Sequence, residues 1–460
     1  MNAARIAAAG LALLACAAQA DVDLVGAWQA AAGADPTFAA AGAQRDAGTA
    51  RGRQGRALWL PNVAFGASQG YRQTAQESKG VHFEAPGFGK SNGVSFQTDL
   101  DGHGSAWRIS AEQPIFDAAV ASNARELGFE SELAAVKYTA AGQDLMLKTA
   151  RAYFAVLAAE DAIAELEKVK AATSRALEIA RESFAAGRIP ITDQNEAEAR
   201  FDEITASEVA ARNALEVKRA EFADVTGLTA DGLARPDTER TLAGFDGGPL
   251  DAWQSRAAAA SPLIAMQRLA GSIATEEIRK YTALRSPSLA LVAQVGAEDL
   301  DGDTRFGTSG HMSSDSGAIG LELKIPLFTG GMRSAKHDEA AARAAEAGYT
   351  AEAIRREVLT RTRAAWLGAT SGNAQVAARR QALVSSRSRL DATRTGHEVG
   401  ARTMLELLQA EADCHRAERE LLVQTYQALL DRLSLAAAAG SLSEAELGAV
   451  NGTLRARAAK

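Results

Sequence analysis

Cysteine is nearly absent: the 460-residue chain holds two, Cys16 and Cys414. Cys16 lies within an N-terminal leader, so the chain beyond it has Cys414 alone and forms no intrachain disulfide. An exported protein of this size without disulfides relies on burial or assembly. Proline is scarce as well, ten in all, with none between Pro114 and Pro190 and none after Pro326. Nothing in those stretches breaks a helix. Past the leader, no run reaches the roughly 20 apolar residues that a spanning helix needs. If the chain enters a membrane, it does so as strands. An excess of positive charge is missing too: 50 Lys and Arg stand against 57 Asp and Glu, net −7, which argues against a nucleic-acid partner. Gly-rich phosphate loops, nucleophile elbows and zinc spacings are absent. The sequence therefore points to no catalysis, no cofactor and no metal.

The leader itself is informative. Met1–Arg5 carries one positive charge, Ile6–Ala18 is a small apolar core, and Ala18-Gln19-Ala20 is a small-x-small cleavage site before Asp21. Residues 1–20 are expected to be a secretory signal peptide. Cys16 follows Leu-Leu-Ala and weakly resembles a lipoprotein site, but cleavage after Ala20 leaves no lipid.

The rest is written twice. Pro36, Pro61 and Pro114 are echoed by Pro262, Pro287 and Pro326, at offsets of 226, 226 and 212 residues. Ala57-Leu58-Trp59-Leu60-Pro61-Asn62-Val63 mirrors Ala283-Leu284-Arg285-Ser286-Pro287-Ser288-Leu289, and Gln113-Pro114-Ile115-Phe116 mirrors Ile325-Pro326-Leu327-Phe328. Tyr153 answers Trp366 and Gly187 answers Gly400, both at an offset of 213. Such a repeat is far longer than a solenoid unit. The expected division is a first repeat over 21–230, a linker over 231–249, a second repeat over 250–438 and a tail over 439–460.

Each repeat has one plan. A helical start (Leu24–Arg56; Leu250–Thr282) precedes two segments of period-2 alternation. These are Val63-Phe65-Ala67 and Trp107-Ile109-Ala111 in the first copy, Leu289–Val295 and Ile319–Leu327 in the second. The Gly-, Ser- and Asp-rich stretches Thr74–Gly93 and Glu298–Ser316 are expected as loops between them. A long helical stretch follows each pair; some 65 residues at about 1.5 Å each is about 100 Å. Heptads run through Leu133, Ala140, Leu147 and Phe154, and through Thr362, Ala369, Val376, Leu383 and Leu390, as in coiled coils. A 3-4 spacing continues through Leu405, Leu408, Ala412, His415, Arg419, Leu422, Tyr426, Leu429 and Leu433. Turns at Gly187–Pro190 and Gly396–Ala401 fold each stretch into an antiparallel hairpin. The fold class is thus mixed and mainly α: long coiled-coil hairpins plus four β-strands per chain. Four strands cannot close a barrel, which starts at about 8, and open edges in lipid leave backbone groups unsatisfied.

The pattern resembles the TolC family of outer-membrane channel-tunnels over nearly the whole chain. Its most specific words are Asp35-Pro36-Thr37-Phe38, Leu60-Pro61, Ala152-Tyr153-Phe154-Ala155-Val156-Leu157, Ile191-Thr192-Asp193, Pro326-Leu327-Phe328-Thr329-Gly330-Gly331 and Val399-Gly400-Ala401-Arg402-Thr403. The resemblance implies a homotrimer that pools its strands into one transmembrane β-barrel in outer-membrane lipid. It also implies an α-helical tunnel in the periplasm. Such a duct is passive: an inner-membrane ABC or proton-driven transporter and a periplasmic adapter serve type I protein secretion or small-molecule efflux. By the same resemblance, Thr192 and Asp193 on one hairpin turn and His397 and Arg402 on the other are gate links. His397 stands where the family usually has tyrosine. Glu406 and Gln409 take the positions of an acidic aperture ring, Gln409 departing from the acidic pattern, and Asp413 lies one turn further on. A ring of carboxylates favours cations.

Other features read more plainly. Asp299, Asp301 and Asp303 resemble a calcium loop but lack the Gly and Glu of an EF-hand. His82, His103 and His311 have no ligand spacing. Two alternatives stand beside the duct. A periplasmic adapter needs one helical hairpin, whereas two are written here. An exported polysaccharide-cleaving enzyme needs paired carboxylates in a cleft.

Overall fold

The computed structural model describes residues 22–87, 89–237, 247–282 and 287–455. The expected signal peptide with Cys16, Asp21 and the Ala283–Ser286 half of one repeated word lie outside those residues. Among them are nine helices: α1 Leu24–Ala34, α2 Pro36–Ala57, α3 Ala118–Ala185, α4 Ile191–Thr226, α5 Leu250–Ala260, α6 Pro262–Thr282, α7 Met332–Glu398, α8 Met404–Ala438 and α9 Glu444–Asn451. The strands are β1 Asn62–Ala85, β2 Gly89–Phe116, β3 Arg235–Pro236, β4 Ser288–Thr304, β5 Ser309–Lys324 and β6 Leu454–Arg455. The described residues form two compact units, one from within 22–47, 133–268 and 349–455, the other from within 48–132 and 269–348.

Each helical start is in fact two helices, because the residue before a proline is pushed out of the helical region. Asp35 and Ser261, ahead of Pro36 and Pro262, both adopt extended backbone. Asp35 then caps α2: one carboxylate oxygen accepts from the Thr37 and Phe38 amides at 2.8 and 2.9 Å, the other from Lys148 at 2.7 Å. Burial works against this charge, but the Lys148, Thr37 and Phe38 hydrogen bonds overcome it and hold the carboxyl well below the usual range.

The second unit holds a four-stranded antiparallel sheet in the order β1-β2-β4-β5. Register places Phe65, Ile109 and Val295 in one row and Val63, Ala111, Ala293 and Ile319 in another. Because side chains alternate across a strand, one face carries Val63, Phe65, Trp107, Ile109, Val295, Ile319, Leu321 and Leu323, all exposed. The other face carries Ser110, Glu112, Gln294 and Glu322 around a cavity of about 540 Å³.

The expected loops are a correction. β1 runs on to Ala85 and β2 starts at Gly89, while β4 and β5 continue to Thr304 and from Ser309. The ladder persists through Gly, Ser and Asp because hydrogen bonds between paired strands need no apolar side chain; alternation fades where no apolar face is required. Asp299, Asp301 and Asp303 therefore sit on β4, and His82, His103 and His311 on strands as well. At Gly102 and Gly302 the strands approach so closely that a Cβ on Gly102 would meet the Asp301 carbonyl oxygen at 2.1 Å. The fourth strand also ends early, at Lys324, ahead of Pro326.

In the first unit, the core gathers Leu24, Tyr153, Phe154, Leu157, Phe222, Leu233, Tyr426, Leu429, Leu433, Leu447 and Val450. Stacking of Phe154 on Tyr426, with ring centres 5.7 Å apart, explains why the Tyr153-Phe154 word sits mid-helix. The Tyr153 hydroxyl lies 2.9 and 2.8 Å from the carbonyl oxygens of Val22 and Ala234. Residues assigned to a linker and a tail thus join the core: Leu233 and Ala234 are buried, and β3 pairs with β6. Only 238–246 of the expected linker lies outside the described residues. Beneath them is a buried charge group. Arg235 pairs with Asp161 and, at 2.7 Å, with Glu160, while the Tyr426 hydroxyl donates to Asp161 at 2.6 Å. Farther along, Val376, Leu383, Cys414 and Leu421 pack α7 on α8. Burial pushes the Cys414 thiol up, away from the reactive thiolate.

Candidate functional site

Both hairpin ends lie in the first unit, and they are built alike. Two residues past the ends of α3 and α7 stand Gly187 (φ 68°) and Gly400 (φ 75°), in the left-handed conformation that glycine adopts without a Cβ penalty. The Arg188 amide donates to Ser183 at 2.8 Å, and Ala401 to Gly396 at 2.7 Å. Each is the six-to-one bond of a Schellman end. Every one of these residues is 213 positions from its counterpart. The first turn lies where the sequence suggests, the next helix starting at Ile191 straight after Pro190, whereas the second falls slightly later, with α7 running to Glu398 and α8 starting at Met404.

The helix starts then diverge. α4 opens on Pro190, which offers no side-chain cap. α8 opens on a capping box: the Glu406 amide donates to Thr403 Oγ1 at 3.2 Å, and the Thr403 amide returns to Glu406 Oε2 at 2.8 Å. Glu406 also takes a bond from Arg402 at 2.7 Å. The Thr403 amide first, then Arg402, holds its carboxyl below the usual range. A Thr-x-x-Glu spacing was present to signal this cap.

The four residues assigned to gate links are placed as follows. The Thr192 hydroxyl donates to Asp193 at 3.2 Å, and His397 Nδ1 donates to the Arg402 carbonyl at 3.0 Å. Among the described residues no ion pair joins Asp193 to Arg402; within one chain the guanidinium turns to Glu406 instead. Thr192, Asp193 and Arg402 are exposed and His397 half-exposed.

Gln409 is more engaged than its sequence suggests. It accepts from Arg200 of α4 at 3.3 Å and donates to Asp413 at 2.9 Å. Asp413 in turn meets Arg389 of α7 at 2.5 Å and Arg416 at 3.6 Å. The hairpins are laced further by Arg387–Glu418 at 3.0 Å, Arg394–Glu411 at 3.4 Å and Arg181–Glu198 at 2.8 Å. Sequence reading missed Arg200, although it stands 213 residues before Asp413.

An apolar sheet face, two open edges and two matched coiled-coil ends stand beside a family match. The outer membrane efflux protein family matches residues 27–228 and 253–441. The chain belongs to that family. It is 30% identical over 428 residues to the outer membrane protein TolC of Vibrio cholerae, covering 92% of this chain and 91% of that one. To the alkaline protease secretion protein AprF of Pseudomonas aeruginosa it is 26% identical, covering 90% and 83%. The CmeC outer membrane channel of Campylobacter jejuni shares the fold, with a TM-score of 0.72 at 15% identity over 95% of this chain and 90% of that one. The chain is thus an outer-membrane export channel of the TolC type, and its family is one of channels. The match spans both repeats, where an adapter would supply one hairpin. Among the described residues no helix is long and apolar enough to cross a membrane.

Proposed function

We propose that three copies of this chain close one barrel of twelve strands, 3 × 4, and one helical tunnel. The observation that carries this reading is the four-stranded sheet, whose outer strands β1 and β5 each have one unpaired edge while an apolar face stands exposed. Neither edge is tolerable in lipid without a partner. Pooling strands satisfies both edges and makes a lumen lined by the polar face. The two repeats, 21–230 and 250–438, supply one hairpin pair each, and residues 1–20 direct the chain past the inner membrane.

In this reading the tunnel is passive. An inner-membrane ABC or proton-driven transporter and a periplasmic adapter load it, for type I protein secretion or small-molecule efflux. The hairpin ends close its inner mouth. Thr192, Asp193, His397 and Arg402 fasten neighbouring coils, and Glu406 and Gln409 ring the aperture. Arg402 suits the link, since a guanidinium bonds carboxylate and hydroxyl oxygens alike. The hydrogen-bonded pairs inside one chain leave Asp193 and Arg402 exposed for this role. The experiment is the mass of the purified protein in mild detergent, by light scattering or native mass spectrometry. A trimer is expected; a stable, detergent-free monomer overturns barrel and tunnel together.

A further inference from the structure

The two helix starts that would line the inner mouth carry matched faces. Spacings of three and seven residues put Asp193, Glu196 and Arg200 on one face of α4, and Glu406, Gln409 and Asp413 on one face of α8. The 213-residue offset makes these sets equivalent, position by position. Four of the six are carboxylates, one is an amide, and the single cation is Arg200. Its guanidinium is not turned away: it reaches across to Gln409 Oε1 at 3.3 Å while also holding Glu203 at 3.0 Å. Gln409 passes the contact on to Asp413 at 2.9 Å. The amide that departs from an acidic ring is thus the residue that seats a positive charge there. Glu406 and Asp413 already face Arg402, Arg389 and Arg416, and Arg200 faces Glu203; a carboxylate at 409 would add one more negative charge beside Arg200, whereas the neutral amide holds the guanidinium and adds none.

We propose that Arg200, seated on Gln409, is a selectivity-determining residue of the entrance, weakening the cation preference that the surrounding carboxylates impose and so admitting anionic groups on the cargo. The proposal rests on the aperture reading given above. Arg200, repeated once per protomer around a symmetric mouth and standing beside Arg402, Arg389 and Arg416, acts on the same field as the carboxylate ring, because charges lining a constriction set which ions enter.

The test is the reversal potential of the full-length mature channel in planar bilayers under a KCl gradient. Four proteins are compared: the unaltered chain, Arg200→Gln, Arg200→Lys and Glu406→Gln. Arg200→Gln keeps a hydrogen-bonding side chain without charge and should move the reversal potential towards the potassium equilibrium potential. Arg200→Lys keeps the charge and should stay with the unaltered protein. Glu406→Gln should move it the opposite way. If Glu406→Gln shifts the potential and Arg200→Gln does not, the proposal falls while the aperture stands. If Arg200→Lys shifts it as far as Arg200→Gln, Arg200 acts through structure and the proposal falls. If neither Arg200→Gln nor Glu406→Gln shifts it, the aperture itself is misplaced.

Discussion

Removing the Asp161 carboxylate should destabilise the helical unit far more than removing a charge from its surface. Its side chain is 5% exposed and serves Arg235 and, at 2.6 Å, the Tyr426 hydroxyl. Burial and the facing Asp161 charge push the Tyr426 phenol far above its ordinary range, so it stays a donor at any working pH. In Asp161→Ala that hydroxyl loses its acceptor inside the core, and an unsatisfied buried group costs about 1–3 kcal/mol. Breaking a fully buried ion pair costs about 3–5 kcal/mol. Here Arg235 is 32% exposed and keeps Glu160, so the ionic share is smaller. The total is about 2–4 kcal/mol. Asp161→Asn keeps an acceptor for Tyr426 and should cost less. Tyr426→Phe leaves Asp161 with Arg235 and should cost about 1 kcal/mol. The assay is denaturant unfolding in detergent followed by circular dichroism, at one protein concentration because assembly shifts apparent stability. Glu352→Gln, which touches only the exposed Arg355 and Arg356, is the control. The reasoning is refuted if Asp161→Ala unfolds no earlier than that control.

Three further outcomes follow from other parts of the molecule. Arginine at Ile109 or Leu321, on the apolar face, should cost about 2–4 kcal/mol against much less at Ser110 on the polar face; comparing folded outer-membrane yield checks this, and equal tolerance would show that these strands do not span. Asp193→Ala with Arg402→Ser should raise single-channel conductance while the oligomer persists in detergent, and unchanged conductance would place the gate elsewhere. Asp35 has a folded carboxyl depressed below its unfolded one, so its contribution is complete above the ordinary carboxylate range and is lost as pH falls below it. Lys148→Met should therefore shift acid unfolding to higher pH, whereas a curve identical to that of the unaltered protein would deny the Lys148 contribution.

The inner halves of the strands and the coiled coils were legible because each carries an apolar face. Phe65, Ile109 and Ile319 alternate along the exposed apolar face of the sheet, and Val376 and Leu383 recur where α7 meets α8. The outer part of the sheet was not legible, since Asp299, Asp301 and Asp303 owe their strand to backbone pairing and not to side chains. The split at Asp35 was written in the following proline, but its partner Lys148 stands 113 residues away, and such contacts leave no local trace. At the hairpin ends, Gly187, Pro190, Gly396 and Gly400 marked the turns, whereas the Arg200–Gln409 contact joins helices from different repeats and leaves no local trace in either.

The two β-hairpins differ in a way that bears on change over time. Between their flanking prolines the first spans 53 residues (114 − 61) and the second 39 (326 − 287), a difference of 14. β1 and β2 continue past the last β2–β4 pair, Leu100 with Thr304, as a two-stranded ribbon. Residues added at the far end of a hairpin alter no register behind them, and an even number preserves the turn. An even insertion at the ribbon end, Pro86–Gly87, should therefore be tolerated, whether by descent or as an inserted epitope, with every side chain of the apolar face keeping its row.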